Sequence, residues 1–253
     1  MMSTDKGGTA MKRIAAMCAL AMAALGVVAT TGCVRVELPE PRQTSESDQL
    51  AREGATELTA SINMGAGQLR VSGGASGAMD ATYVFTDEEW RPEVRYTVTE
   101  GEGVLSVSSP ARPRIDLTDR MRYEWDIALA DDLPLDLSVA MGAGQSELDL
   151  GSLDLRRLSV EMGAGDATID LSGTPEHDLA AEINAGAGAF TLRVPAGVGV
   201  RIVGYQDGIG SYRADGFAQD GDALANDAYG NTPVSFEIIL RRGLGDVTVE
   251  TIE

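Results

Sequence analysis

The sequence predicts an all-β protein, a parallel β-solenoid of short repeats, and three observations carry that expectation. A Gly-x-Gly motif embedded in a shared pattern of alternating flanks recurs six times, with its first glycine at residues 65, 142, 163, 186, 208 and 243. The steps are 77, 21, 23, 22 and 35 residues, and three consecutive steps of 21–23 make a period of stacked units. Apolar residues alternate with polar ones on both sides of the motif, which is strand periodicity. No helical pattern follows residue 57 except a short turn over 220–226. The same strands arranged as antiparallel hairpins would give a β-sandwich, which is the alternative architecture.

The flanks define each unit. Three residues before the first glycine stand Ile62, Val139, Val160, Ile183, Tyr205 and Leu240. Six after it stand Val71, Leu148, Ile169, Leu192, Ala214 and Val249. The residue between the glycines is apolar in all six copies. Each unit therefore reads as two short strands joined at a glycine corner. The structural glycines are Gly65 and Gly67, Gly142 and Gly144, Gly163 and Gly165, Gly186 and Gly188, Gly208 and Gly210, and Gly243 and Gly245. A bend of this kind needs backbone angles closed to residues with a β-carbon, and close approach of neighbouring chains. A phosphate cradle would instead need a helix start, which the continuing alternation denies.

In chain order, the first segment is an address. Lys12-Arg13 precedes an uninterrupted apolar or small run over 14–29, then Thr30-Thr31-Gly32-Cys33. A basic start, a short apolar stretch and small residues at its end form a secretory signal peptide, with Met11 an equally good start. Cys33 after Thr-Gly resembles the cysteine of a bacterial lipobox, which becomes a lipidated first residue. Residues 1–32 are thus a lipoprotein signal peptide. Residues 33–57, rich in Pro, Glu, Ser, Gln and Arg, read as the lipidated cysteine and a flexible tether. Alternating strands over 81–85, 93–98 and 104–107 make 58–112 an N-terminal β-subdomain. Pro110-Ala111-Arg112-Pro113 joins it to a β-repeat domain over 113–253.

Composition excludes several functions. After Cys33 the chain carries 38 acids against 17 arginines, a net of −21, and no lysine. That removes Schiff-base and phosphate-loop lysine chemistry. It also argues against nucleic acid as a partner, since no basic stripe can neutralise phosphates. The one histidine, His177, has no second His or Cys to share a metal, so it reads as an exposed turn residue. Cys33 alone permits no internal disulfide. No cofactor is implied.

Carboxylate pairs for glycoside cleavage could come from Glu88-Glu89, from Asp131-Asp132, or from Glu161, Asp166 and Asp170. Carboxylates are abundant, however, and an aromatic content of 5% leaves few platforms for stacking sugars. The acidic stretch over 220–227 has Leu224 where a calcium loop needs its third ligand, so it reads as a surface loop. It also supplies the insertion behind the last, longer step.

The segment Leu58-Thr59-Ala60-Ser61-Ile62-Asn63-Met64-Gly65-Ala66-Gly67-Gln68-Leu69-Arg70-Val71, followed by Trp90-Arg91-Pro92-Glu93-Val94, resembles the N-terminal toast-rack domain. The repeats ending in Gly243-Leu244-Gly245-Asp246-Val247-Thr248-Val249 are similar to the LiaF-like and "putative adhesin" families of bacteria. The resemblance implies an all-β envelope protein and supplies no catalytic residue. The expectation is a non-enzymatic lipoprotein of the cell envelope, at the outer membrane or cell surface. It would be held to the membrane through Cys33 and display a β-surface to envelope proteins or glycans. The alternatives are a LiaF-like regulatory subunit of an envelope-stress system and a polysaccharide-acting β-helix enzyme.

Overall fold

The computed structural model describes residues 43–110, 122–206 and 208–252. The signal-like segment, Cys33 and the junction at 112/113 lie outside them. Sixteen strands follow in order: β1 (Thr44–Leu50), β2 (Glu57–Gly73), β3 (Met79–Phe85), β4 (Glu93–Thr99), β5 (Glu102–Ser108), β6 (Tyr123–Leu129), β7 (Leu135–Asp149) and β8 (Leu155–Asp170); then β9 (Leu179–Ala187), β10 (Phe190–Pro195), β11 (Gly199–Val203), β12 (Tyr212–Ala214), β13 (Phe217–Asp220), β14 (Ala223–Asn226), β15 (Ser235–Leu244) and β16 (Val247–Ile252). All sixteen belong to one mixed sheet.

The repeats pair in parallel and in register. Met64, Met141 and Met162 are successive partners, and so are Ala66, Ala143, Ala164 and Ala187. Parallel pairing between the copies rules out the hairpin sandwich. The three strongest copies run unbroken through the glycine motif, as β2, β7 and β8. In each, alternate residues are buried before the corner and again after it, so the strand bends there and both halves face one core. A single cluster runs from Leu58 to Val249, so the segments expected as two domains share their apolar interior.

The corners explain the glycine pairs. Gly144 has φ 129° and Gly165 has φ 123°, a region that residues with a β-carbon rarely enter. A Cβ on Gly144 would overlap the carbonyl oxygen of Gly67, and one on Gly165 that of Gly144. At Gly142 and Gly163, the first glycines of their pairs, stacking alone decides: a Cβ on Gly142 would overlap the Gly65 carbonyl, and one on Gly163 that of Gly142. Beneath the bend lie the methionines, with Met141 Cε 2.8 Å from where a Gly144 Cβ would stand. Corner N–H groups are used in the stack: Gly188 N–H donates to Leu244 O and Gly245 N–H to Ile209 O, each at 2.9 or 2.8 Å. They do not form an anion cradle.

Three expectations change. Strand order differs from a simple succession of copies, because the fifth copy does not stack on the fourth. β15 pairs with β9 on one side and β11 on the other, and β16 lies between β10 and β12. The sixth copy is therefore inserted between the fourth and fifth. Part of the expected tether is a strand, since β1 pairs antiparallel with β3. The alternation in its burial shows why: Glu46, Asp48 and Leu50 turn inward on a half-covered edge, so a polar sequence still completes a sheet. Residues 220–226, expected as a turn in a surface loop, form the β13–β14 hairpin on the free edge of β11.

Antiparallel strands close both ends of the parallel stack: β4, and β3 with β1, at the first end; β14 with β13 at the other. At the first end Trp90, Tyr123, Trp125 and Tyr83 form a chain of ring contacts, with centroids 5.5, 5.6 and 5.8 Å apart, that plugs the core. These rings are buried and offer no platform to a sugar.

Candidate functional site

Opposite the glycine corners, loops carry the chain from the end of one bent-strand copy to the start of the next. Three of these, over 130–134, 150–154 and 171–178, surround a cleft of about 400 Å³. Its floor is the open end of the core: Leu150, Leu153, Leu155, Leu171, Leu179 and Phe236, all buried. Its rim is polar, with Asp131, Asp132, Asp154, Thr174, Glu176 and His177.

His177 is half-buried and not a free turn residue. Its Nδ1 lies 3.0 Å from Asp154 Oδ1. An ionised carboxylate only accepts, so this contact puts a ring proton on Nδ1. Asp154 also accepts from Arg156 Nε at 3.1 Å and Nη2 at 3.2 Å, which fixes the carboxylate as an orienting group. No hydroxyl among the described residues hydrogen-bonds the ring, so the triad geometry lacks its nucleophile. No group of three or more His, Cys, Asp or Glu among the described residues is placed to hold a metal.

Across the cleft, Arg52 grips Asp132 with two bonds of 2.7 and 2.5 Å. The hydrogen bond from Arg52 holds the Asp132 carboxyl below the usual carboxylate range, and Asp132 raises the guanidinium in turn. Among the described residues Asp131 and Glu176 have no ion-pair partner, and both stand on the rim as acidic positions.

The other sequence candidates do not converge. Glu88 and Glu89 begin a short 3₁₀ turn, where Glu88 pairs with Arg91 at 2.7 Å. Glu161 precedes the β8 corner and Asp166 follows it, so they lie on different arms of the bent strand. Asp166 accepts from Ala189 N–H at 3.1 Å, and Asp170 accepts from Ser172 N–H at 2.8 Å while its other oxygen lies 3.6 Å from Arg193. Glu88, Asp166 and Asp170 each have a structural partner in place of a facing acid.

Outside the cleft, the outward faces are ladders of charge. Arg70 lies between Asp126 and Glu147, Arg193 between Asp170 and Glu250, and Arg157 pairs with Asp136. Such exposed pairs contribute about 0–1 kcal/mol each, so they set the surface character more than the stability. Residues Asp154, Arg156 and Arg52 escaped the sequence reading. A signal existed for the first: Asp154 and His177 are 23 residues apart, one repeat step.

The bent, glycine-cornered strands define an all-β fold built on one mixed sheet. The chain belongs to the family described as the N-terminal domain of toast_rack, DUF2154, which matches residues 38–193. That match extends well beyond the 58–112 expected from sequence. A crystal structure described as "a putative cell adhesion protein" from Clostridium sporogenes is 28% identical. It covers 83% of this chain and 100% of its own, with a TM-score of 0.78. A "putative adhesin" from Bacteroides fragilis is 12% identical over 83% of this chain and 98% of its own. Its TM-score of 0.30 is too low to bear on the fold. No curated protein matches the chain.

Proposed function

We propose that this is a non-enzymatic, lipid-anchored protein of the bacterial envelope that binds an envelope protein or glycan at its loop end. The bent-strand copies serve as a short solenoid-like scaffold, and Cys33 carries the anchor. One observation bears most weight: the cleft with an apolar floor and an acidic rim lies at the end of the stack away from where the chain enters. Thr44, the first residue of β1, is level with the glycine corners, while Arg52 after β1 reaches the cleft. A domain held from the corner side would thus present the cleft outward. Apolar floors with a few oriented polar groups are the usual form of a recognition site. The likeness to the Clostridium sporogenes protein supports an adhesive role for the whole.

The test is affinity capture of envelope proteins and glycans with the lipidated protein, compared with its Glu176→Arg and Asp131→Arg variants. Retained ligands should be lost with these charge reversals and kept with a reversal at Glu102, on β5. Cleavage of a cell-wall polysaccharide by the purified protein, abolished by replacing one carboxylate, would overturn the reading.

A further inference from the structure

We propose that the row of glycine corners is a membrane-contacting edge, with Ile209 and Leu244 set among the headgroups and first acyl carbons of the bilayer. The proposal rests on the lipid-anchor reading of Cys33 given above.

The residue between the two glycines of each copy points away from the core. In the order of the stack these residues are Ala66, Ala143, Ala164, Ala187, Leu244 and Ile209, each the pairing partner of the next. At a strand spacing of about 4.8 Å, the row is roughly 24 Å long. Because glycine flanks every member, no neighbouring side chain shields it. Ile209 is 72% exposed and Leu244 58%, the two most exposed large apolar side chains among the described residues. They are adjacent, joined by a parallel bridge. Single exposed apolar residues need no explanation, but two side by side at the end of an apolar row do.

The corner beneath them is tied together by Arg242. Arg242 donates from Nε to Tyr205 O at 2.9 Å and from Nη1 to Gly210 O at 3.1 Å. Its guanidinium lies 5.6 Å from the centre of the Tyr212 ring. Among the described residues, two carboxylates beside the row are turned to the backbone: Asp246 accepts from Ser211 N–H at 3.0 Å, and Asp166 from Ala189 N–H.

Chain length selects the occupant. Thr44 pairs with Phe85, Phe85 with Tyr123, and the Tyr123 carbonyl abuts Gly67, so the chain joins the sheet at the corner edge. Cys33 is eleven residues upstream of Thr44. Fully extended, eleven residues reach about 36–40 Å, roughly one and a half times the length of the row. An anchor on Cys33 therefore keeps the corner edge within one tether length of the lipid. The net charge of −21 disfavours free association with an anionic surface, so tethering supplies the local concentration that a two-residue apolar contact needs.

The test uses the full chain, processed and lipidated in a bacterial host, with single substitutions Ile209→Cys, Leu244→Cys, Glu176→Cys and Ala196→Cys. Each is labelled with an environment-sensitive fluorophore and placed in phosphatidylcholine–phosphatidylglycerol vesicles carrying a nitroxide near the acyl carbonyls. Labels at 209 and 244 should be quenched several-fold more than those at 176 and 196, which sit at the loop end. Equal quenching at all four, or stronger quenching at 176 and 196, overturns the proposal. So does a label at 209 or 244 that is already in an apolar setting without vesicles, since a second copy would then cover the row. Mass measurement of Cys33 separates the two readings. An unmodified Cys33 overturns the anchor and this proposal together, whereas a lipidated Cys33 with no quenching overturns this proposal alone.

Discussion

Replacing Gly144 by alanine puts the stacking principle at risk in one step. Its φ of 129° lies where a β-carbon is strained, which costs about 1–3 kcal/mol. The new Cβ would also overlap the carbonyl oxygen of Gly67 on the neighbouring strand. Neither atom can move without separating β2 from β7, because both belong to backbone. Losing one or two ladder hydrogen bonds there adds about 0.5–1.5 kcal/mol each. The expected destabilisation is about 2–5 kcal/mol, a fall in thermal midpoint of roughly 10 °C for a domain of this size. Gly221 and Gly197 provide the scale. Gly221 has φ 64° with nothing within 4 Å, so Gly221→Ala should lose only about 1 kcal/mol. Gly197 is equally open and lies outside the left-handed region, so Gly197→Ala should be neutral or stabilising by up to about 1 kcal/mol. Thermal melting by circular dichroism on the three variants reads the series directly. If Gly144→Ala melts with Gly221→Ala, close backbone stacking is not what fixes the corner.

Three further outcomes are expected. Asn226 is buried; its Oδ1 accepts from Val200 N–H at 2.9 Å and its Nδ2 donates to Val198 O at 2.8 Å. Asn226→Leu should therefore cost about 2–4 kcal/mol by leaving both groups unpaired, and hydrogen exchange should locate the loss in β11 and β14. The Asp132 carboxyl titrates below its ordinary range because Arg52 bonds the charged form. A depressed folded value means stabilisation present above the unfolded value and lost as pH falls through the folded one. In Arg52→Met, carboxyl NMR should show the Asp132 titration moving up to the ordinary range; an unchanged titration would remove Arg52 as its cause. With a net of −21 after Cys33, added salt should raise the thermal midpoint by screening self-repulsion, and a flat response would show that the charge ladders already balance it.

Much of the scaffold was legible because a parallel in-register stack turns sequence spacing into spatial neighbourhood. Arg70 and Glu147 are 77 residues apart, Asp136 and Arg157 are 21, and Ser211 and Asp246 are 35, each a step between corners. Asp154 and His177 obey the same rule, so half of the candidate cleft could have been found by adding the local step. Arg52 could not, since it lies before the first copy and reaches Asp132 across 80 residues. β1 was missed because burial of one face against a covered edge does not require apolar residues. The 220–226 stretch was misread because a two-residue turn between short strands leaves too few alternations to register.

By itself the sequence determined the strands of the repeats, their corners and their register: period-two burial chooses the inward face, and glycine pairs choose where the chain bends. It did not determine which copy lies on which. Arg193 pairs with Glu250, and Asp178 accepts from Ser235 N–H, each 57 residues away, because the sixth copy sits on the fourth. Any parallel edge can accept any strand with the same alternation, since backbone donors and acceptors are alike in all of them. The choice is made in three dimensions, where the β13–β14 hairpin occupies the outer edge of β11 and the last copy completes the edge that β9 and β11 share.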